Sequence, residues 1–190
     1  MRVALVHEFL TQYGGAERVL EAIHELYPQA PVYTLVYDKN KVGNYFGKWD
    51  IRTSFLQHLP LGVSKFKWYL CLMPKATESF DLSDYDLIIS DSSAFAKGVI
   101  TSQNQVHICY CHTPTRYLWS DTEFYLQTAG IPWPITYLMP LIIRQLKKWD
   151  YRAARRPDYF IANSHEVQAR IKKFYQRESE VIYPFVDASK

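Results

Sequence analysis

The chain has 190 residues, of which 48% are hydrophobic and 22% charged, and its formal net charge is +3. This length and hydrophobic content suit one globular domain with a core and exclude a chain that is disordered throughout. The charge is too small to indicate a nucleic-acid-binding protein, so we expect no nucleic-acid partner, although a mild positive charge suits an anionic ligand or a membrane surface.

Cysteine usage and the first residues favour a cytoplasmic location. Cys71, Cys109 and Cys111 are an odd number, and the last two alternate on one predicted strand, where they are not placed for a standard disulfide. Residues 1–6 lead directly into a strand pattern rather than a signal peptide. The most apolar run, 68–73, is far shorter than the roughly 20 residues that a membrane-spanning helix needs. We therefore expect a cytoplasmic protein, with peripheral attachment to the inner membrane face as a candidate property.

Short apolar runs alternate along the chain with longer segments of helical periodicity. Strands are predicted at residues 2–6, 32–36, 86–90, 106–111, 159–162 and 181–183. This alternation is typical of an α/β fold, so we predict a Rossmann-like, doubly wound and mainly parallel sheet with helices on both faces. Residues 1–190 are interpreted as a single domain.

The helices are predicted from their apolar faces. The first ends at Pro28, and its apolar face comprises Val19, Leu20, Ile23, Leu26 and Tyr27. A later helix has an apolar face of Leu138, Ile142, Leu146, Trp149 and Ala153, with Arg144, Lys148, Arg152 and Arg155 outward. The last helix is expected to open at Asn163, with Glu166 as its capping-box partner. Residues 113–134, rich in proline and aromatic residues, are expected to form a structured functional loop.

Two features surround the first helix. The preceding loop ends in Gly14 and Gly15, whose bare backbone could bind a phosphate or a sugar at the positive helix terminus, although two glycines alone favour a plain tight turn. Glu17, Glu21 and Glu25 are four residues apart, which predicts that all three lie on the solvated face.

The clearest candidate site follows the strand at 106–111. His112 and Arg116 come directly after it, at the sheet edge where ligands of open α/β folds bind. A histidine exchanges hydrogen bonds near neutral pH, and an arginine suits a phosphate or carboxylate. The alternative is that His112 satisfies backbone groups and Arg116 pairs with Asp121 or Glu123. The cysteine spacing does not form a metal site, so no metal is expected.

Residues 65–75 interleave basic and aromatic side chains. Such a composition can lie among lipid headgroups, which makes Lys65, Lys67, Trp68 and Lys75 candidates for membrane contact. An ordinary helix with one packed face has the same composition, so both interpretations stay open.

Four segments in order, at 14–19, 80–90, 110–119 and 149–164, resemble the amino-terminal, acceptor-side half of the retaining glycosyltransferases of family 4, also called glycosyl transferases group 1, which have the GT-B fold. The resemblance implies transfer of a hexose such as mannose from a nucleotide-sugar donor to a lipid-linked or saccharide acceptor in polysaccharide biosynthesis. The nucleotide sugar is then a substrate, and no cofactor or metal is expected.

The resemblance also assigns roles to residues of this sequence. It places Gly14 and Gly15 near the donor diphosphate, and His112 as the catalytic residue close to the reacting sugar. Arg116 would lie at the cleft edge.

At the start of the last helix, the resemblance gives Asn163, Ser164 and Arg170 substrate-binding positions near a domain junction. In the family a donor-binding domain follows a stretch similar to 181–187, and this sequence ends at residue 190. We therefore expect the donor-binding domain to be absent and the chain alone to be inactive. The alternative function is a non-catalytic α/β module that binds a membrane or a protein partner.

Overall fold

Seven parallel strands form one sheet in this computed structural model, which describes residues 1–122 and 137–184. The strands are β1 (Val3–Leu10), β2 (Val32–Tyr37), β3 (Ile51–Thr53), β4 (Leu87–Ser92), β5 (Val106–Cys111), β6 (Tyr159–Ala162) and β7 (Glu180–Val181). Their order in the sheet is β3-β2-β1-β4-β5-β6-β7, and every neighbouring pair is parallel. The predicted α/β, Rossmann-like fold is confirmed. Strand order reverses between β1 and β4, so this fold opens a crevice at their carboxyl ends.

Helices connect the strands within the described residues. They are α1 (Gly15–Leu26), α2 (Lys39–Phe46), α3 (Met73–Glu78), α4 (Arg116–Trp119), α5 (Met139–Ala153) and α6 (His165–Tyr175), with short 3-10 helices at Phe55–His58, Phe66–Leu72 and Ala96–Gly98. No helix in the described part of the chain has the length and hydrophobicity to cross a bilayer.

The core lies on both faces of the sheet because successive strand residues point in opposite directions. On β1, Leu5 packs in a cluster with Leu20 of α1 and Phe46 of α2. Ala4 and Val6 belong to a cluster on the other face. Complete burial of a side chain as large as Phe46 stabilises the fold by roughly 1.5–3 kcal/mol.

Three predicted details of the secondary structure are wrong. Leu26 is 74% exposed rather than packed, because His24 takes the buried place on α1 and stacks on Trp49 with ring centroids 3.8 Å apart. The last helix is capped by Ser164, not Asn163, since the Ser164 hydroxyl accepts the Val167 N–H at 3.3 Å. Its capping box is absent, because Glu166 instead pairs with Arg170.

Other boundaries shift. β1 continues to Leu10, well past the predicted end at residue 6, and β3 was not predicted. Within the predicted loop at 113–134, Arg116–Trp119 is helical, whereas 123–136 lies outside the described residues. Arg144, Lys148, Arg152 and Arg155 are exposed on and just after α5, as predicted.

Candidate functional site

Polar side chains collect where the three central strands end. His7 and Glu8 lie on the last half of β1, Asp91 lies near the end of β4, and His112 follows β5. His7 and Asp91 are directly opposite each other in the parallel register. Because carboxyl ends of parallel strands meet at one edge, the fold brings together residues that are far apart in sequence.

Three of these side chains form a continuous array with Glu17 of α1, here called the histidine–carboxylate chain: Glu17, His7, Asp91 and His112. Asp91 Oδ1 is 2.5 Å from His112 Nε2, and its Oδ2 is 2.8 Å from His7 Nδ1. His7 Nε2 faces Glu17 Oε1 at 3.6 Å, and Glu17 Oε2 accepts the Gly14 N–H at 2.8 Å. The array therefore runs from the start of α1 to His112.

Charge is retained in this array despite its burial. Burial opposes a charge on His7, but hydrogen bonds to Asp91 and Glu17 raise its pKa to about 10. Burial also opposes a charge on His112, whose pKa the Asp91 carboxylate raises. The pKa values of Asp91 and Glu17 are lowered by their histidine partners, against the effect of burial. At neutral pH, His7 is therefore an imidazolium between two carboxylates.

A cleft of about 530 Å³ opens beside His112. Its apolar lining includes Phe9, Phe66, Leu70, Met73 and Phe95, and its polar lining includes Lys67, Ser93, His112, Thr113, Arg116, Glu166 and Arg170. Apolar walls with a few converging polar and cationic groups suit a ligand that carries both a sugar or lipid and a phosphate.

Glu8 holds one wall of this cleft. Its buried carboxylate accepts the Ala94 N–H at 2.7 Å, the Ala96 N–H at 3.0 Å and the Ser92 hydroxyl at 3.0 Å, with further bonds from Ser93. A carboxylate with this many donors is satisfied without a cation and fixes the loop after β4. Glu8 therefore shapes the wall that contains Ser93 and Ala94.

A buried ion pair holds the opposite loop. Asp150 of α5 accepts Lys97 Nζ at 2.6 Å, the Thr115 hydroxyl at 2.9 Å and Trp119 Nε1 at 2.7 Å. Tyr175 of α6 accepts the Thr115 N–H at 3.2 Å. These bonds fix both ends of the short helix α4, so Arg116 projects from a rigid segment.

The structure brings three of the predicted site residues to the cleft: His112, Arg116 and Arg170. Arg116 is 3.9 Å from Asp121 but stays largely exposed, and Arg170 Nη1 donates to the Thr113 hydroxyl at 3.3 Å. The His112 side chain binds a carboxylate rather than a backbone group.

The glycine loop lies at the start of α1, and the histidine–carboxylate chain connects it to His112. Gly14 donates its N–H to Glu17, whereas a Cβ added at Gly15 would meet no atom within 4 Å. Open space at a helix amino terminus suits an anion. Gly15 is therefore the more accessible of the two glycines.

The remaining predicted residues lie elsewhere. Ser164 caps α6, and its hydroxyl donates to the side-chain Oδ1 of Asn163 at 3.1 Å. Lys65, Lys67 and Lys75 are exposed, and Trp68 is 38% exposed. Only Lys67 of these four lines the cleft.

Sequence reasoning missed His7 and Asp91 and was wrong about Glu17. The four-residue glutamate spacing predicted a solvated Glu17, but this residue is 4% exposed because it faces His7 and caps Gly14. Its place three residues after Gly14, where a glutamate can accept the N-cap N–H, is the signal that could have found it.

Metal binding is not indicated by the geometry of the described ranges, 1–122 and 137–184, where no three His, Cys, Asp or Glu residues are grouped to hold an ion. Cys109 and Cys111 are buried thiols on β5, and no disulfide joins them. The absence of a cofactor stays a prediction.

Two solved structures share this fold. They are crystal structures of Alr3699/HepE from Anabaena, one in complex with UDP and one with UDP and glucose. They have TM-scores of 0.57 and 0.54, with 18% identity in each case. Each alignment covers 98% of this chain and 45% of the HepE chain, so this chain spans less than half the length of those structures. Comparison of the sequence with curated proteins gives no significant match.

The family model described as Glycosyltransferase Family 4 matches residues 13–190. This match includes the glycine loop, the cleft residues other than Phe9 and the last helix, and the sheet has the topology of the amino-terminal domain of a GT-B enzyme. The chain therefore belongs to glycosyltransferase family 4.

Proposed function

We propose that this chain forms the acceptor side of a retaining glycosyltransferase that moves a hexose, such as mannose, from a nucleotide-sugar donor to a lipid-linked or saccharide acceptor in polysaccharide biosynthesis. The observation that carries the proposal is the position of His112, which lines the cleft while Asp91 binds its Nε2 at 2.5 Å. An anchored imidazole beside a cleft can hold a sugar hydroxyl in a fixed orientation.

The charges around the cleft support a phosphate-bearing substrate. Lys67, Arg116 and Arg170 all line it, and Glu166 is bound to Arg170 at 2.5 Å. A nucleoside diphosphate leaving group and a lipid phosphate both carry negative charge that such groups stabilise. Since HepE was crystallised with UDP, a nucleotide sugar is the natural donor class to test first.

The glycine loop contributes a second, smaller stabilisation. The amino terminus of α1 offers about 0.3–1 kcal/mol to an anion near Gly15, more where the site is partly buried. This is too little to drive sugar transfer. Positioning of the acceptor hydroxyl by His112 and charge stabilisation by the cationic side chains must supply the larger part on this side of the reaction.

A transfer assay tests the proposal on the complete natural protein that contains these residues. With a panel of UDP- and GDP-hexoses, His112→Ala is expected to lower kcat/KM by about 100-fold or more, because a positioned imidazole contributes on that scale. His58→Ala is the matched control, since His58 is exposed and lies outside the cleft. Equal rates for both variants would show that His112 has no role in transfer.

The same assay on residues 1–190 alone is expected to show no turnover. The cleft offers an imidazole and cationic groups but, among the described residues, no complete set of nucleophile and acid–base partners. Turnover by this chain alone would assign the whole active site to it and contradict an acceptor-side role.

Contact with a membrane is a second candidate property, which we propose because Lys67 belongs to both the cleft and the exposed basic segment. Lys65 and Lys75 are exposed near it, with Trp68 and Leu72 partly exposed beside them. A basic and aromatic surface next to the cleft would hold the enzyme where a lipid-linked acceptor resides, at the inner membrane face of the cytoplasm.

Co-sedimentation with vesicles that contain anionic lipid tests this contact. Exchange of Lys65, Lys67 and Lys75 for Glu is expected to abolish binding, because each basic residue near such a surface contributes about 1 kcal/mol. The control exchanges Arg144, Lys148 and Arg152 for Glu on the exposed face of α5. Equal loss in both triple variants would assign the binding to net charge rather than to the segment at 65–75.

A further inference from the structure

We propose that Asp91, His7 and Glu17 are positioning residues for His112: Asp91 binds its Nε2, so that Nδ1 is the ring nitrogen offered to the substrate, while His7 and Glu17 hold Asp91. The inference rests on the proposed function, because it specifies how one residue of that site is oriented. It concerns three side chains that do not line the cleft.

Asp91 is held in one orientation by two imidazoles. Each of its oxygens binds one ring, Oδ1 with His112 Nε2 at 2.5 Å and Oδ2 with His7 Nδ1 at 2.8 Å, and its side chain is 1% exposed. A rotation of the carboxylate would break both bonds without any replacement from water, and an unpaired buried carboxylate is costly. The position of Oδ1, and with it the plane of the His112 ring, is therefore fixed.

The charge state of Asp91 determines which nitrogen of His112 carries the proton. An ionised carboxylate can only accept hydrogen bonds, so His112 Nε2 must donate. Nε2 then keeps its hydrogen whether His112 is neutral or cationic. Nδ1 is the atom that gains and loses a proton, as an acceptor when His112 is neutral and a donor when it is charged.

His7 and Glu17 complete the array behind Asp91. His7 donates to Asp91 through Nδ1, and its Nε2 faces Glu17 Oε1 at 3.6 Å. Glu17 is tied in turn to the Gly14 N–H at 2.8 Å. Charges of opposite sign thus alternate from Glu17 through His7 to Asp91, which is how these three buried titratable groups can coexist.

Other charged or titratable groups surround His112 and share its environment. From β1 these are His7 and Glu8, from β4 Asp91, from β5 Tyr110, from the 3-10 helix Lys67, from α4 Arg116, and from α6 Glu166 and Arg170. Asp91 is the one of these that hydrogen-bonds the His112 ring. Asp91 should therefore affect the orientation and the pKa of His112 more than the other groups do.

The first test measures the tautomer of His112 in the wild-type protein. Long-range ¹H–¹⁵N spectra of protein labelled in its histidines report which ring nitrogen carries the proton in neutral histidine, and His112→Gln identifies the His112 signal. We expect the Nε2–H tautomer at His112. Neutral His112 with its proton on Nδ1 would overturn the proposal, since Asp91 would then not be bound by an Nε2–H donor.

Substitutions along the array test how Asp91, His7 and Glu17 affect the titration of His112. Asp91→Asn is expected to lower the midpoint of the His112 titration, because the carboxylate that favours the cation is gone. His7→Asn is expected to raise it, because asparagine keeps an amide donor near the former Nδ1 while a positive charge beside Asp91 is removed. Glu17→Gln should move the midpoint least. Opposite signs for Asp91 and His7 are not produced by general loosening of the fold, and an unchanged midpoint in Asp91→Asn would refute the inference.

Kinetics on the complete enzyme connect the array to catalysis. Asp91→Asn is expected to lower kcat by about 100-fold, the scale of a misplaced reacting group, with a much smaller change in KM. If wild-type transfer depends on His112 while Asp91→Asn leaves kcat unchanged, the inference fails and the proposed function stands. If the spectra show the Nε2–H tautomer and the predicted midpoints but no nucleotide sugar is used, the proposed function fails and the array is real. If Asp91→Asn does not fold, the wild-type tautomer and the His112 midpoint in His7→Asn still test the inference.

Discussion

Two buried histidines in the same sheet have different charge states: one is cationic and the other is neutral. His7 on β1 and His107 on β5 are 3% and 0% exposed. Burial lowers both pKa values, but Asp91 and Glu17 outweigh it at His7 and raise its pKa to about 10. At His107 burial lowers the pKa to about 3, and the partner of its Nε2, at 2.8 Å, is the neutral hydroxyl of Ser90. Burial alone therefore does not determine the charge of a histidine in this fold; its partners do.

The partners of the two histidines are neighbours on one strand. Ser90 and Asp91 are consecutive on β4, so their side chains point to opposite faces of the sheet. Asp91 meets His7 on the face that packs against α1, and Ser90 meets His107 on the other face. The Asp158 carboxylate raises the pKa of His107, whereas the positive side chains of Arg156 and Arg177 lower it. His7 on one face of the sheet thus keeps its charge, whereas His107 on the other face is neutral.

The strongest test of this contrast replaces the two neighbouring partners. Asp91→Asn is expected to lower the free energy of unfolding by about 3–5 kcal/mol, because it leaves His7 buried without its main ionic partner. Ser90→Ala should cost about 1–3 kcal/mol, the cost of an unsatisfied buried polar group, since His107 is neutral. Urea denaturation at pH 7 measures both values.

Asp84→Asn serves as the control for the loss of one carboxylate. Asp84 is 85% exposed and pairs with the exposed Arg2 at 3.4 Å, so its replacement should change stability little. A larger loss in Ser90→Ala than in Asp91→Asn would show that the charged and neutral partners do not differ as described.

Most strands of the sheet could be predicted from the sequence, but the different charge states of His7 and His107 could not. The strands β2, β4, β5 and β6 follow from short apolar runs, because a strand buried on both faces is a nearly continuous hydrophobic segment. His112 and Arg116 follow from the rule that ligands bind where parallel strands end. β3 was missed because Ile51–Thr53 is only three residues long and includes the exposed Arg52.

The inner residues of the site could not be found from local patterns. His7 and Asp91 are 84 residues apart, and they meet because β1 lies between β2 and β4 in the sheet. Glu17 has a spacing typical of a solvated face, and only the buried imidazole beneath α1 makes it an inward-facing residue. Periodicity reports which side of a helix is apolar, but it does not report which polar residue has a charged partner across the core.

The dependence of stability on pH tests the two charge states in one experiment. The pKa of His7 is raised from 6.5 to about 10 on folding, so its contribution is complete below pH 6.5 and is lost as the pH rises toward 10. The pKa of His107 is lowered from 6.5 to about 3, so stability is lost as the pH falls from 6.5 toward 3, while the unfolded chain takes up a proton. Each contribution changes by about 2 kcal/mol over two pH units.

Two variants separate the contributions of His7 and His107 to the pH dependence of stability from the contributions of other titrating groups. The stability advantage of the wild type over His7→Asn is expected to shrink by about 2 kcal/mol between pH 7 and pH 9. His107→Gln, which keeps an amide near the former Nε2, should lose about 2 kcal/mol less than the wild type between pH 6 and pH 4. Urea midpoints across pH 4 to pH 9 measure both differences. If both variants altered stability over the same pH range, the two histidines would share one charge state, and the contrast between a charged His7 and a neutral His107 would be wrong.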